Sequence, residues 1–133
     1  LKQNNENPVY YCQYAHARIC SIIKKAKKDK IWPKSFKQEL LSKLNKSEEL
    51  AIIQKLSDLP ELLMLIAIHR EPHRLATYIE ELSAMIHKYY ARYQIVSAKS
   101  KELSQARLML LETTKQVMAI VFNLMGISAP EKM

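Results

Sequence analysis

The chain has 133 residues, of which 48% are hydrophobic and 26% are charged, and its formal net charge is +8. This length and apolar content predict one folded domain with a substantial core and exclude a disordered tail, and the single glycine disfavours sheet folds whose turns need glycine. The positive excess favours a surface that binds an anionic partner, such as a nucleic-acid backbone or an anionic membrane surface, over a solvated surface that is merely rich in lysine.

The first predicted helix begins after Asn7, a residue type that caps helix N-termini well, and it has Pro8 at its first position. Apolar periodicity carries this helix to about Lys28. A loop over KDKIWPKS follows, because Pro33 forces the residue before it out of helical geometry.

Three shorter helices are predicted next, over FKQELLSKL, KSEELAIIQKL and DLPELLMLIAIHR. The first begins after Ser35, and the second opens at Ser47 with two glutamates in its first turn, where the helix dipole favours them. The third begins near Asp58 and is apolar nearly all round. We therefore expect the segment from Asp58 to Ile68 to be the buried central helix of a bundle.

Two long helices complete the prediction. One restarts at Pro72 and runs through EPHRLATYIEELSAMIHKYYARY, with a broad apolar face. The other covers about residues 102–125 and ends before Gly126, where a left-handed C-cap belongs. The elements together predict an all-α fold, an antiparallel bundle of about five to six helices. No apolar run approaches the roughly 18–20 residues of a membrane span, and we expect no membrane contact.

The opening helix has a flank that alternates aromatic and basic side chains. At about 100° per residue, one strip beside the apolar face collects Tyr11, Tyr14, Arg18, Ser21, Lys25 and Lys28. Such a strip offers ring faces to unstacked bases and charges to phosphates, as in recognition of single-stranded RNA. Spacing alone slightly favours another interpretation, in which the tyrosines are boundary core residues and Arg18 pairs with a glutamate.

Metal binding and catalysis fit the sequence poorly. Cys12 and Cys20 are about 12 Å apart along a helix, too far for a disulfide or for a shared ion with His16. His69 and His73 are separated by a proline and lack the glutamate of a zinc-protease motif. One glycine cannot build a phosphate-binding loop. We therefore expect no catalytic residue and no metal site, and the two free cysteines indicate a reducing, cytoplasmic setting.

The stretches NPVYYCQYAHARIC, EPHRLATYIEELSAMIHKYY and ARLMLLETTKQVMAIVFNLMGISAPEKM occur in this order. They resemble three parts of the C-terminal anticodon-binding domain of arginyl-tRNA synthetases: an asparagine-proline pair before a Y-x-Q-Y-A-H-A-R helix, an E-P-H-x-L-A-x-Y-L-x-E-L helix ending in an aromatic-tyrosine pair, and an A-R-L-x-L helix with a terminal G-I-x-A-P-E-x-M. The region from about Lys27 to Leu56 carries no specific resemblance.

The resemblance implies roles for individual residues. Tyr11, Tyr14 and Arg18 match positions on the anticodon-facing side of the family's first helix. Tyr90 matches the tyrosine of the aromatic-tyrosine pair, and Met133 matches the chain end that approaches the anticodon. Lys25 and Lys28 join these residues as expected tRNA contacts because they share the same flank. Three further positions, Gln13, His16 and His73, are expected to have mainly structural roles.

The resemblance also implies a parent enzyme, an ATP-dependent arginine–tRNA ligase of class I. Its motifs for nucleotide binding are not in this sequence, so we expect residues 7–133 to form the anticodon-binding bundle and residues 1–6 to be a connection from a catalytic domain. No cofactor is expected here, whereas the parent would use ATP with magnesium and arginine. The expected partners are arginine tRNA and the catalytic domain, with a monomeric state. An alternative is a helical protein–protein interaction module that uses the tyrosine-rich flank.

Overall fold

A computed structural model describes residues 7–97 and 99–133, so the expected connection over residues 1–6 lies outside the described part. Five α-helices and one 3-10 helix lie within those ranges: α1 is Pro8–Lys28, the 3-10 helix is Gln38–Lys43, α2 is Ser47–Ser57, α3 is Leu59–His69, α4 is His73–Arg92 and α5 is Lys101–Met125. The described residues contain no strand, and the predicted all-α bundle is confirmed.

The ends of α1 and α5 follow the sequence signals. The Asn7 side chain accepts hydrogen bonds from the N–H groups of Val9 and Tyr10 and so caps α1. Ser100 caps α5 by accepting from the N–H of Leu103 at 3.2 Å. Gly126 ends α5 with φ of 71°, the left-handed conformation that glycine adopts without a Cβ penalty.

The core lies where α1, α4 and α5 pack against one another, with α2 against α4 and α5. The predicted apolar face of α4 is confirmed, since Leu82 and Ile86 are fully buried near its middle. Ile19 of α1 and Leu111 of α5 are also fully buried in this core. Periodicity identified these faces because apolar residues three and four positions apart share one side of a helix.

The prediction that the segment from Asp58 to Ile68 is the central helix is wrong. In α3 only Leu59 is buried, while the exposed fractions of Met64 and Ile68 are 64% and 66%. This helix packs mainly against its neighbour α2 at the edge of the bundle. An apolar circumference shows that a helix can be buried, but it does not select which neighbours cover it.

The stretch FKQELLSKL forms a 3-10 helix over Gln38–Lys43 instead of an α-helix that begins after Ser35. No side chain caps its start at Lys37, and Leu44, which follows it, is buried in the core. A six-residue segment of this kind connects elements without the energetic support that a longer amphipathic helix gains from packing.

α5 is the one helix among the described residues whose length and composition would allow it to cross a membrane. However, 44% of its most apolar 18-residue window is buried inside the fold. α5 packs against α1, α4 and the 3-10 helix, and this packing accounts for its apolar side chains.

Candidate nucleic-acid interface

One side of α1 borders an open cavity of about 620 Å³. The segment that follows α4 closes its far side, and the chain terminus reaches its edge. Its lining includes five of the seven predicted contact residues, namely Tyr14, Arg18, Lys25, Tyr90 and Met133, together with Ala17, Ser21, Ile22, Ala26, Asp29, Ile31, Gln94, Ile95 and Val96. Residues from both ends of the chain therefore meet around one opening.

Arg18 lies between two tyrosine rings. Its guanidinium carbon is 4.5 Å from the ring centroid of Tyr90 and 5.6 Å from that of Tyr14. Tyr14 and Arg18 are four residues apart on α1, a spacing that brings side chains together on one helix face. Tyr14 is 37% exposed, so part of its ring is open to solvent. The site thus presents a cation held against aromatic surfaces, and one of these surfaces is accessible.

The adjacent tyrosines Tyr89 and Tyr90 point in different directions. The Tyr90 hydroxyl donates to the carbonyl of Arg18 at 3.1 Å, and burial raises the pKa of Tyr90 well above its ordinary value. Tyr89 is fully buried, and its hydroxyl donates to the carboxylate of Glu49. Only Tyr90 of the pair can therefore offer a surface to the cavity, and its hydroxyl is already engaged.

The C-terminal segment is attached to α1 by two polar side chains. The Gln13 amide donates to the carbonyl of Ser128 at 3.0 Å, and the His16 ring donates from Nδ1 to the carbonyl of Pro130 at 2.9 Å. These bonds join residues 115 and 114 positions apart. They hold Met133 beside the cavity and attach Gln13 and His16 to a distant segment of the chain, a pairing that spacing alone could not identify.

His87 is a residue of the site that sequence reasoning missed. It lies on α4 behind Tyr14 and Arg18, and its ring centroid is 5.7 Å from that of Tyr14 in a stacked arrangement. Its Nδ1 is 3.0 Å from Nη1 of Arg18, and its Nε2 is 3.2 Å from the carbonyl oxygen of Tyr11. The only signal in the sequence was a histidine three positions before Tyr90, on the same face of the helix.

Two predicted contact residues do not line the cavity. Tyr11 is half-buried and packs against the core, with its ring centroid 4.6 Å from that of His87. Burial raises the pKa of Tyr11. Lys28 instead borders a neighbouring depression. The described geometry places Tyr11 beneath the site and Lys28 beside it.

That neighbouring depression forms a lysine surface, which we define by its six lysines: Lys24, Lys25, Lys27, Lys28, Lys115 and Lys132. Only two carboxylates, those of Asp29 and Glu131, lie among its lining residues. The lysine surface and the cavity share Ser21, Lys25 and Asp29, so the two are continuous. A strand of nucleic acid leaving the cavity would meet positive charge at once.

Within residues 7–97 and 99–133, no three histidine, cysteine, aspartate or glutamate side chains are arranged to hold a metal ion. Cys12 and Cys20 are both free thiols, and burial is the largest effect that raises the pKa of each. A high thiol pKa disfavours the thiolate form that binds metals or attacks carbon. The described side chains around the cavity offer stacking, hydrogen bonding and charge.

Comparison with known proteins gives concordant matches. The family model described as "DALR anticodon binding domain" matches residues 12–133. The arginine–tRNA ligase of Citrifermentans bemidjiense is 41% identical over 132 residues, which are 99% of this chain and 24% of that protein. The arginine–tRNA ligase of Heliobacterium modesticaldum is 40% identical over 136 residues, again 99% of this chain and 24% of the relative.

A solved structure of arginyl-tRNA synthetase from Thermus thermophilus superposes with a TM-score of 0.77 at 32% sequence identity. It covers 92% of this chain, which corresponds to 21% of that structure. The chain thus spans about a quarter of the length of the relatives it matches. These comparisons give no support to the alternative of a protein–protein interaction module.

Proposed function

The chain belongs to the DALR anticodon-binding domain family, and from that premise we propose that it is the part of an arginine–tRNA ligase that grips the anticodon loop of arginine tRNA. The single observation that carries this proposal is the meeting of Tyr14, Arg18, Tyr90 and Met133 around one open cavity. Aromatic faces and an arginine guanidinium are groups on which splayed bases stack.

The ring of Tyr14 and the guanidinium of Arg18 are the proposed stacking surfaces. Tyr14 is partly exposed, and the guanidinium carbon of Arg18 lies 4.5 Å from the ring centroid of Tyr90. Stacking of a base on such a surface contributes about 1–3 kcal/mol and tolerates any base. Tyr14 and Tyr90 would therefore supply affinity for unstacked anticodon bases, with Tyr11 supporting them from beneath. Arg18, held in one place, would in addition direct its N–H donors toward a base edge, which gives it a share in discriminating between bases.

Lys25 and Lys28 are the proposed phosphate contacts. Lys25 borders both the cavity and the lysine surface, and Lys28 lies within the lysine surface. Contacts with phosphates orient the RNA and strengthen binding without reading its sequence. The lysine surface would thus take the backbone on one side of the anticodon.

Met133 is the proposed contact with a base edge. Its backbone carbonyl can accept hydrogen bonds from an exocyclic amine, and its thioether can pack against an aromatic face. The bonds of Gln13 and His16 to the C-terminal segment support this role because they fix where the segment lies. Specificity for the middle anticodon base would then depend in part on Met133.

The remaining length of the matched relatives belongs to the proposed catalytic portion. That portion would join arginine to tRNA with ATP and magnesium, and the described bundle would hold the anticodon while the acceptor end reaches it. We propose that the parent enzyme is cytoplasmic, in accord with two free cysteines, and that it acts as a monomer.

A filter-binding comparison of arginine tRNA with an unrelated tRNA tests this function. We expect tighter binding of arginine tRNA, and a steep loss of affinity with added salt because bound phosphates release counterions. Lys25→Ala should weaken binding of both RNAs and lower the salt slope by about one unit or slightly less.

Lys37→Ala is the matched control, because Lys37 is exposed and borders neither the cavity nor the lysine surface. It should leave the salt slope nearly unchanged. Equal affinity for the two tRNAs, or equal effects of the two lysine substitutions, would contradict the proposed surface.

A further inference from the structure

His87 occupies a position between the core and the proposed RNA site. It is half-buried and does not line the cavity, yet it contacts two residues that do. Its ring stacks beside Tyr14 at 5.7 Å between centroids, and Nδ1 lies 3.0 Å from Nη1 of Arg18. His87 therefore supports the lining residues from behind.

The two hydrogen bonds of the ring fix its protonation. The carbonyl oxygen of Tyr11 can only accept, so Nε2 of His87 must carry the hydrogen. The guanidinium of Arg18 can only donate, so Nδ1 of His87 must be unprotonated. Only the neutral Nε2–H tautomer satisfies both partners, because a protonated ring would direct an N–H toward the N–H of Arg18.

The surroundings favour the neutral ring. The groups of α1 that face it are Arg18, Tyr11 and Tyr14, and no carboxylate is among its described contacts. Burial is the main effect that lowers the pKa of His87 below its ordinary value of 6.5, and the charge of Arg18 lowers it further. The hydrogen bond to the carbonyl of Tyr11 opposes these effects.

We propose that His87 is a positioning residue for anticodon recognition, which holds Arg18 between Tyr14 and Tyr90 only while its ring is neutral. Protonation removes the acceptor at Nδ1 and places a second cation beside the guanidinium, so Arg18 leaves its position between the rings. The inference rests on the proposed function, since it makes the position of Arg18 in the proposed RNA site depend on the protonation of His87. Discrimination between anticodons should accordingly weaken as the pH falls through the pKa of His87, which lies below 6.5.

The binding test uses the full chain and two synthetic anticodon stem-loops, one of arginine tRNA and one with a changed middle base. The chain gains positive charge at low pH, which strengthens its binding to both stem-loops alike, so the ratio of the two affinities is unaffected by this gain. Near neutral pH, His87→Ala should reduce this ratio about tenfold, as expected for a lost hydrogen bond to a charged group. In an Arg18→Ala background the same substitution should change the ratio by less than about twofold, because coupled residues are not additive.

His87→Asn separates positioning from packing. Its amide oxygen can accept from Arg18 and does not titrate, so this variant should retain most of the discrimination with a flat pH profile while the unaltered chain loses discrimination toward acid. His69→Ala, on the exposed end of α3, is the matched control and should behave like the unaltered chain. An equal effect of His87→Ala in both backgrounds, or parallel pH profiles for the unaltered chain and His87→Asn, would overturn the inference.

A measurement without RNA keeps the inference distinct from the proposed function. Nuclear magnetic resonance of nitrogen-labelled histidine should report an Nε2–H tautomer for His87 and a pKa below 6.5. The opposite tautomer, or a higher pKa, would overturn the positioning role. If these values are as expected but the two stem-loops bind equally at every pH, the proposed function fails and so does the assigned role in recognition.

Discussion

Replacing Arg107 by methionine should destabilise the fold by removing the cation of a buried ion pair. Arg107 is 6% exposed and Glu49 is fully buried, and Nε of Arg107 lies 2.8 Å from the carboxylate. The same carboxylate accepts from the Tyr89 hydroxyl and from the N–H of Lys46. These contacts join α2, α4 and α5, so losing the cation leaves a buried charge that only neutral donors stabilise.

The expected cost follows from this geometry. Removing one partner of a buried ion pair costs about 3–5 kcal/mol, and the two remaining donors to Glu49 favour the lower end of that range. For a chain of this length each kcal/mol lowers the melting temperature by about 4 °C, so the midpoint should fall by roughly 12 °C. Urea unfolding followed by circular dichroism measures the free energy directly.

Two further variants test whether the lost stability comes from the buried ion pair. In the double variant Glu49→Gln with Arg107→Met, both charges are absent while an amide oxygen can still accept from the Tyr89 hydroxyl, and most of the lost stability should return. Arg92→Met is the matched control, because Arg92 is 63% exposed in its pair with Glu48, and such surface pairs contribute about 0–1 kcal/mol. A cost below about 1 kcal/mol for Arg107→Met, or a double variant less stable than the single one, would refute the account.

Three other perturbations have defined outcomes. Burial raises the pKa of Tyr78 to about 12 from an unfolded value of 10.0, so the contribution of Tyr78 to stability should be complete below pH 10 and decline as the pH approaches 12. Phenolate absorbance and circular dichroism can follow titration and unfolding together, and a Tyr78→Phe variant with the same alkaline decline would contradict this. Leu82→Ala should cost about 2–5 kcal/mol in urea unfolding, whereas Met64→Ala should stay within about 0.5 kcal/mol, and equal costs would contradict the assigned core. Deleting Met133 should leave the melting temperature unchanged and weaken discrimination of the middle anticodon base in aminoacylation by the parent enzyme; unchanged discrimination would show that the terminus is passive.

The sequence predicted the helices well where local chemistry determines them. Asn7 with Pro8, and Gly126, mark helix ends through backbone hydrogen bonding and backbone geometry, which depend on a few adjacent residues. The spacing of apolar residues predicted the buried face of α4 equally well. Five of the proposed contact residues were selected by flank and resemblance, and the described geometry brings them to one cavity.

The features that were missed depend on contacts between distant residues. The pairing of Arg107 with Glu49 joins positions 58 apart, and the bond of Arg18 to His87 joins positions 69 apart. No spacing rule within one helix encodes such partners, which depend on how the helices pack. The error over α3 has the same origin, since Met64 and Ile68 are apolar but nothing in their spacing reveals that they face away from the bundle.

We propose above all that this chain distinguishes the arginine anticodon through the cavity lined by Tyr14, Arg18, Tyr90 and Met133. The most direct measurement compares its affinity for arginine tRNA with that for the same tRNA carrying a changed middle anticodon base, at one salt concentration. The account predicts a difference of about tenfold or more, which is typical of losing one well-formed base contact, and predicts that Tyr14→Ala weakens binding to both RNAs. Equal affinities for the two RNAs in the unaltered chain would contradict it.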